Sequence, residues 1–397
     1  MRGLIGVCIS DLPSWSPMIH TKIGMNHADL SLYISMPETL CSGNPLQHWS
    51  GLMEPDGMAV RARARTELEF RAFRVDQSGG QLSCGFENLT LADLDEGDLT
   101  VRVMYSSVNY KDAMAARGVG RNVRTDRACV TGIDLAGVVV ASRNPAFKAG
   151  DQIVATNYDL GVNHDGGYSE YACIPAEWAV QLPEGLSALE AMALGTAGLT
   201  AALAIDKFER AGLKPADGTV AVSGATGGVG SLAIDMLARR GYQVVAISRK
   251  AAQAAYLRGI GASCVIDPGT LAGKDKSLAD RRWAAAIDGV GGELLEALMK
   301  HIKEQGMVAV CGMASGPRFD TTVFPFIMRA LSLFGINVSG TLSMPDRIGL
   351  WSRLASDLKP QHLEDMIEVI AFDDLNQAFD RFLDSSVRGR IVVRIGE

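Results

Sequence analysis

The chain is defined first by what it lacks. In its 397 residues no apolar run reaches the roughly 18 residues that a bilayer-spanning helix needs, so it reads as a soluble, cytoplasmic protein with no membrane partner. It has no excess of positive charge: 38 Lys and Arg stand against 45 Asp and Glu, a formal net charge of −7. A general nucleic-acid footprint is therefore not expected, and any anionic ligand must be held by a local cluster of cations. None of the seven cysteines sits in a C-x-x-C pair, and none of the six histidines has a ligand-spaced partner. That argues against a disulfide frame and for reduced thiols without a metal site.

What is present is ordinary globular chemistry, 47% hydrophobic and 21% charged. The length favours two domains with some excess. Residues 1–69 show no sustained period and are expected to be a poorly ordered extension. Their opening, MRGLIGVCI, is too short and too soon followed by Asp11 for a good signal peptide. An over-long start with Met53 or Met58 as internal alternatives, or an organellar presequence, are the two readings left open.

Rhythm begins at Phe70. LTVRVMYSSV, GIDLAGVVVAS, DQIVATNY and YSEYACIP alternate apolar and polar residues between Gly, Asp and Pro, as strands do. ALEAMALGTAGLTAALAIDKF then has helical spacing. From about residue 219, TVAVSGA, YQVVAIS, SCVID, WAAAIDGV and GMVAVCGMA are short apolar strands separated by helical segments. That alternation predicts an α/β chain with a parallel, doubly wound sheet. RGRIVVRIG near the end reads as a strand returning to the first domain.

SGATGGVG follows a predicted strand and opens a predicted helix. Gly224, Gly227, Gly228 and Gly230 allow a tight turn, and the helix amides beyond it can bind a pyrophosphate. Ala225, Thr226, Gly227, Gly228 and Val229 are therefore expected to bind the cofactor. The next strand ends at Ser248, Arg249 and Lys250, with no acid to hold a ribose 2′-hydroxyl. A hydroxyl and two cations suit a 2′-phosphate, which predicts NADPH over NADH. The plain alternative is a solvated helix start.

SSVNYKDAM, TGIDLAGVV, NHDGGYSEYA, GTAGLTAALAI, SGATGGVG, AAIDGVGG and TTVFPFIMRAL together resemble the medium-chain dehydrogenase/reductase superfamily, over roughly Phe70 to Glu397. The resemblance is to its zinc-free, quinone-oxidoreductase-like branch, and within that to the NADPH-dependent acrylyl-CoA reductase group. It implies a GroES-like β-rich catalytic domain over 70–193 and 331–397, and a Rossmann NADPH-binding domain over 194–330. Zinc-dependent members carry a Cys and a His in the segments where this chain has Asn109 and Asp134. No metal is expected.

By the same resemblance Tyr110 contacts the cofactor near the nicotinamide, and it is also a candidate proton donor. Asn109 is expected to hold a carboxamide or the substrate carbonyl; an Asx-type turn is its plain alternative. Lys111 and Asp112 read as a local charge pair. Met313 and Ile327 would pack along the cofactor, and Arg390 would reach it from the last strand. Cys264 stands where many members have an arginine. Arg117, Arg121, Arg124 and Arg127 form the candidate cluster for CoA phosphates, or else a solvated loop. His164 is a minor candidate, and Asp165 replaces a bulkier residue at the pocket rim.

The implied reaction is reduction of the C=C bond of a short α,β-unsaturated acyl-CoA, acrylyl-CoA to propanoyl-CoA. Quinone or enone reduction and a non-catalytic NADPH-binding role are the alternatives. A homodimer is expected from the resemblance and from an edge strand near Leu333–Ser339.

Overall fold

The computed structural model describes residues 67–120, 123–271 and 277–396. The expected extension lies outside the described residues up to residue 66, and so does Arg121. β1 (Glu69–Asp76) and β2 (Ser83–Thr90) form an antiparallel pair. β3 (Leu99–Val108) buries Leu99, Val101 and Val103 on one face and delivers the chain into a short helix, α1 (Tyr110–Ala116). β4 (Cys129–Val130) pairs with β1 and completes a three-stranded sheet. β5 (Asp134–Ser142), β6 (Gln152–Thr156), β7 (Tyr171–Ile174) and β8 (Ala179–Gln181) follow before the first long helix, α2 (Ala188–Arg210).

The second half alternates as its sequence predicts. β9 (Val220–Ser223), α3 (Gly228–Arg239), β10 (Val244–Ile247), α4 (Ala254–Gly259), β11 (Cys264–Ile266) and β12 (Trp283–Asp288) lead to α5 (Gly292–Lys300) and β13 (Ile302–Val310). α6 (Phe324–Arg329) and β14 (Ser332–Gly335) finish the parallel sheet, whose order is β11-β10-β9-β12-β13-β14. The order reverses between β9 and β12, the place where an open α/β sheet leaves a crevice for a ligand.

α7 (Met344–Leu354), β15 (Ile367–Ala371) and α8 (Leu375–Leu383) precede the last strand, β16 (Arg390–Arg394). β16 lies antiparallel to β3, with Ile391 opposite Val108, inside the sheet β15-β16-β3-β5-β6-β8. The architecture is a GroES-like domain joined to a Rossmann domain.

By length and composition α2 could cross a membrane, yet 83% of its most apolar window is buried inside the protein. Its apolar run is core: Leu194, Leu199, Ile205 and Phe208 belong to the cluster that continues into the parallel sheet. One residue breaks its regularity. Gly195 sits at φ 48°, ψ −151°, a conformation essentially confined to glycine.

Candidate active site

Two ends of secondary structure meet at the crevice. At the end of β9 the turn Gly224–Gly227 leads into α3, whose first turn no side chain caps, leaving its amides for an anion. A Cβ at Gly230 would collide with the Gly224 carbonyl, and one at Gly228 would lie 2.8 Å from Arg390 Cδ. Across the switch point Ser223 Oγ donates to Asp288 Oδ1 at 2.5 Å, and the Gly291 amide donates to Asp288 Oδ2 at 2.7 Å. That carboxylate shapes the loop opposite the glycine turn. The cradle fits a dinucleotide pyrophosphate.

At the end of β10 the Ser248 hydroxyl accepts the Lys250 amide at 3.0 Å, and Arg249 is exposed. The Lys250 ammonium donates to the carbonyls of Ser385 (2.5 Å) and Val387 (3.4 Å), so it also ties the nucleotide turn to the segment before β16. That segment brings a cation the sequence did not point to: Arg388, exposed, with its guanidinium 4.6 Å from the centre of the Tyr256 ring. The Gly389 amide bonds the Thr226 carbonyl at 2.9 Å. Met313 and Ile327 are 65% and 72% exposed, which is unusual for large apolar side chains and leaves both open to a ligand or a partner.

The polar residues Asn109, Tyr110 and Asp112 at the end of β3 differ sharply in exposure. Tyr110, first residue of α1, is 46% exposed. Asn109 beside it is buried, and its amide is held from both sides. Nδ2 donates to Asp134 Oδ2 at 2.8 Å, and Oδ1 accepts from Arg390 Nη1 at 3.0 Å. Asp134 also accepts from Ser107 Oγ (2.7 Å), from the Thr196 amide (3.0 Å) and from the Thr196 hydroxyl. Asn157 Nδ2 donates in turn to Thr196 Oγ1, and Ser339 Oγ donates to Asn157 Oδ1 at 3.1 Å. The side chains of Ser107, Asn109 and Thr196 thus converge on Asp134.

Asp112 does not pair with Lys111. It is buried and its oxygens accept the amides of Asn109 (2.9 Å) and Ile133 (3.0 Å). Burial, reinforced by the nearby Asp134, pushes its carboxyl up to about 7 despite those two amides. Arg390, expected to reach the cofactor from the last strand, is buried beside Gly228 of the glycine turn. Its guanidinium donates to Ala193 O, Val108 O, Asn109 Oδ1 and Ser107 Oγ and stands 3.7 Å from Asp134 Oδ2.

The described arginines of the 117–127 loop do not form an open cationic cluster. Arg124 is buried, paired with Asp95 and with Asp165 (2.7 Å), and its remaining donors meet the carbonyls of Ala128 and Asn163. It has no group left for a phosphate. Arg127 also pairs with Asp95, and Arg117 is engaged by Asp380 (2.7 Å) and the Asn376 carbonyl (2.8 Å). Asp165 serves this ion-pair cluster rather than a pocket rim. His164 packs edge-on against Trp178 and bonds the carbonyls of Asp165 and Glu96.

The family described as "Alcohol dehydrogenase GroES-like domain" matches residues 95–184, and that described as "Zinc-binding dehydrogenase" matches residues 228–353. "Putative quinone oxidoreductase YhfP" of Bacillus subtilis is 41% identical over 82% of this chain and 99% of its own length. The chain belongs to the medium-chain dehydrogenase/reductase superfamily. Within the superfamily, "Acrylyl-CoA reductase AcuI" of Ruegeria pomeroyi is 39% identical over 81% of this chain and 97% of its own length. Among solved structures, the yhdH oxidoreductase of Salmonella enterica in complex with NADP aligns at TM-score 0.79, with 38% identity, over 82% of this chain and 100% of that one. B. subtilis yhfP with NAD bound aligns at TM-score 0.79, with 40% identity, over 83% and 100%.

The zinc in one family description does not fit this site. Among the described residues no three His, Cys, Asp or Glu side chains are grouped to hold an ion. Asp134 already receives four donors, and a guanidinium stands beside it. A second cation there would meet repulsion without free ligands.

Proposed function

We propose that this oxidoreductase uses NADPH to reduce the C=C bond of a short α,β-unsaturated acyl thioester, acrylyl-CoA to propanoyl-CoA. The observation that carries the reading is the pairing of a dinucleotide turn with a reaction site built from hydrogen bonds in place of metal ligands. Such a site suits an acceptor that is already activated, because the thioester carbonyl is its own electron sink. Bound NADPH supplies a hydride for the β-carbon, and the α-carbon takes a proton. Asn109, buried beside Asp134, is the candidate to hold the substrate carbonyl as charge develops on it. Tyr110, exposed at the start of α1, contacts the cofactor and is the nearest candidate to deliver the proton. Arg249 and Lys250, joined by Arg388, supply the charge and Ser248 a hydroxyl, which together favour a 2′-phosphate. Relatives solved with NADP and acting as acrylyl-CoA reductases support this reading.

A second reading, quinone or enone reduction, is favoured by the engagement of Arg117, Arg124 and Arg127 with carboxylates, which leaves no ready phosphate site for CoA among the described arginines of that loop. NADPH oxidation measured with acrylyl-CoA against an enone and quinone panel separates them. Turnover confined to enones or quinones overturns the thioester assignment, and tight NADPH binding without turnover of any acceptor marks a binding protein. Tyr110→Phe tests the proton: a fall in turnover at unchanged NADPH affinity makes it the donor, and a loss of affinity alone makes it a cofactor contact.

The working unit in this proposal is a cytoplasmic homodimer. β14 is an edge of the parallel sheet, and the adjoining Val323, Phe324, Ile327 and Met328 expose apolar surface that a second copy would cover. The described cysteines are all free, as expected of a reducing compartment.

A further inference from the structure

β9 and β12 are parallel neighbours, with Ile287 opposite Val222, and the strand order reverses between them. Their last residues are Ser223 and Asp288, both buried. These two side chains close a ring of hydrogen bonds across the floor of the crevice. Ser223 Oγ has one proton and gives it to Asp288 Oδ1 at 2.5 Å, and the same oxygen accepts the Gly289 amide at 3.1 Å. Asp288 takes the next two amides, Val290 on Oδ1 at 3.3 Å and Gly291 on Oδ2 at 2.7 Å. Three consecutive backbone amides are thus turned onto two side chains.

The rest of the loop is packed as closely. The Ser315 amide donates to the Val290 carbonyl at 2.9 Å, and the Cys311 amide to the Asp288 carbonyl at 2.9 Å. A Cβ at Gly312 would collide with the Gly289 carbonyl. Val290 reaches toward the glycine turn, since a Cβ at Gly224 would lie 3.3 Å from its Cγ2.

The two strand-to-helix turns at the crevice therefore differ. α3 opens with no acid in its first turn. α5 opens behind three spent amides and carries Glu293 in its first turn. An anion is favoured at the first and disfavoured at the second. The pyrophosphate then belongs at α3 and the 2′-substituted ribose toward the end of β10. Each half of such a sheet takes one mononucleotide, so the nicotinamide half has to pass over the end of β12.

We infer that Ser223 and Asp288 are positioning residues for the nicotinamide half of the cofactor, holding the 289–291 backbone as the surface on which that half rests. This depends on the NADPH reading above and adds to it the pair that shapes one half of the cofactor bed.

Calorimetric titration with NADPH and with adenosine 2′,5′-bisphosphate, which carries the adenosine half alone, tests the inference. Wild type that binds neither ligand overturns the cofactor reading itself, before any variant is made. Ser223→Ala removes the link and the acceptor for Gly289, and it should weaken NADPH binding about tenfold, the equivalent of one buried hydrogen bond. The bisphosphate should bind that variant within about twofold of wild type. Asp288→Asn turns a donor toward backbone amides and can fail to fold, so Ser223→Ala carries the decision, with cooperative melting as its control. Ser223→Thr, which keeps the hydroxyl, should return NADPH affinity to within about threefold of wild type. A merely structural role would weaken both ligands alike, and that result overturns the inference. So does unchanged NADPH affinity in folded Ser223→Ala.

Discussion

Thr196 donates twice to one carboxylate: its amide lies 3.0 Å from Asp134 Oδ2, and its hydroxyl bonds Asp134 Oδ1. This pairs the kink of α2 with the start of β5, and it requires Gly195 immediately before. A Cβ at Gly195 would stand 2.6 Å from Asp134 Oδ2 in a backbone region closed to other residues. Gly195→Ala should cost about 3 kcal/mol or more, from backbone strain and the displaced carboxylate together. Thr196→Val, which keeps the amide bond but strands Asn157 Nδ2 and Asp134 Oδ1, should cost about 1–3 kcal/mol. Urea denaturation of the two variants checks the order.

Asp112 makes stability depend on pH in a definite direction. Its folded carboxyl is raised to about 7 by burial and by Asp134, so between about pH 4 and about pH 7 the folded state holds a proton the unfolded chain releases. Its contribution is intact below that window and is lost as pH rises through it. Asp112→Asn removes the titration but also one acceptor for the Asn109 or Ile133 amide, a roughly constant penalty. The gap in urea midpoint between wild type and variant should shrink as pH rises from about 5 to about 8. A gap that stays constant would show that this carboxyl is not raised.

Arg124 is expected to behave as a core residue. Arg124→Ala leaves Asp95 and the buried Asp165 without their cation and should destabilise by about 3–5 kcal/mol. Arg117→Ala, which loses a partly exposed pair with Asp380, should cost about 1 kcal/mol or less. If Arg124→Ala instead left the melting temperature unchanged and raised the Michaelis constant for acyl-CoA alone, the loop would be a CoA site after all.

Cofactor choice should depend on the end of β10 and its neighbour. Arg249→Glu, and separately Arg388→Glu, should raise the Michaelis constant for NADPH roughly tenfold more than that for NADH, because only the former carries the 2′-phosphate. Equal effects on both cofactors would remove these cations from the phosphate site. The NAD-bound relative makes the NADH control worth measuring with care.

Val323→Asp, just before α6, combined with Met328→Asp within it should shift sedimentation from dimer to monomer without changing the far-ultraviolet spectrum. A wild-type chain that sediments as a monomer would refute the dimer directly.

Much of this was legible in the residues. The parallel sheet announced itself because short apolar strands and helices alternate with local periodicity, and β9 to β13 lie where that rhythm puts them. The glycine turn was readable for the same reason, since strand, turn and helix are neighbours in sequence. The stretch from α7 to α8 was silent: its helices are short, and β15 is paired only through β16. Side-chain partnership was not legible at all. Four arginines close in sequence look like a phosphate cluster until Asp95, Asp165 and Asp380, distant along the chain, neutralise three of them. Arg390, 281 residues from Asn109, is the same lesson in reverse. Local pattern fixes backbone periodicity, because that depends on neighbours a few residues away. Which buried donor meets which buried acceptor depends on how the β16 and α2 segments return to β3 and β5, and only the tertiary structure decided it.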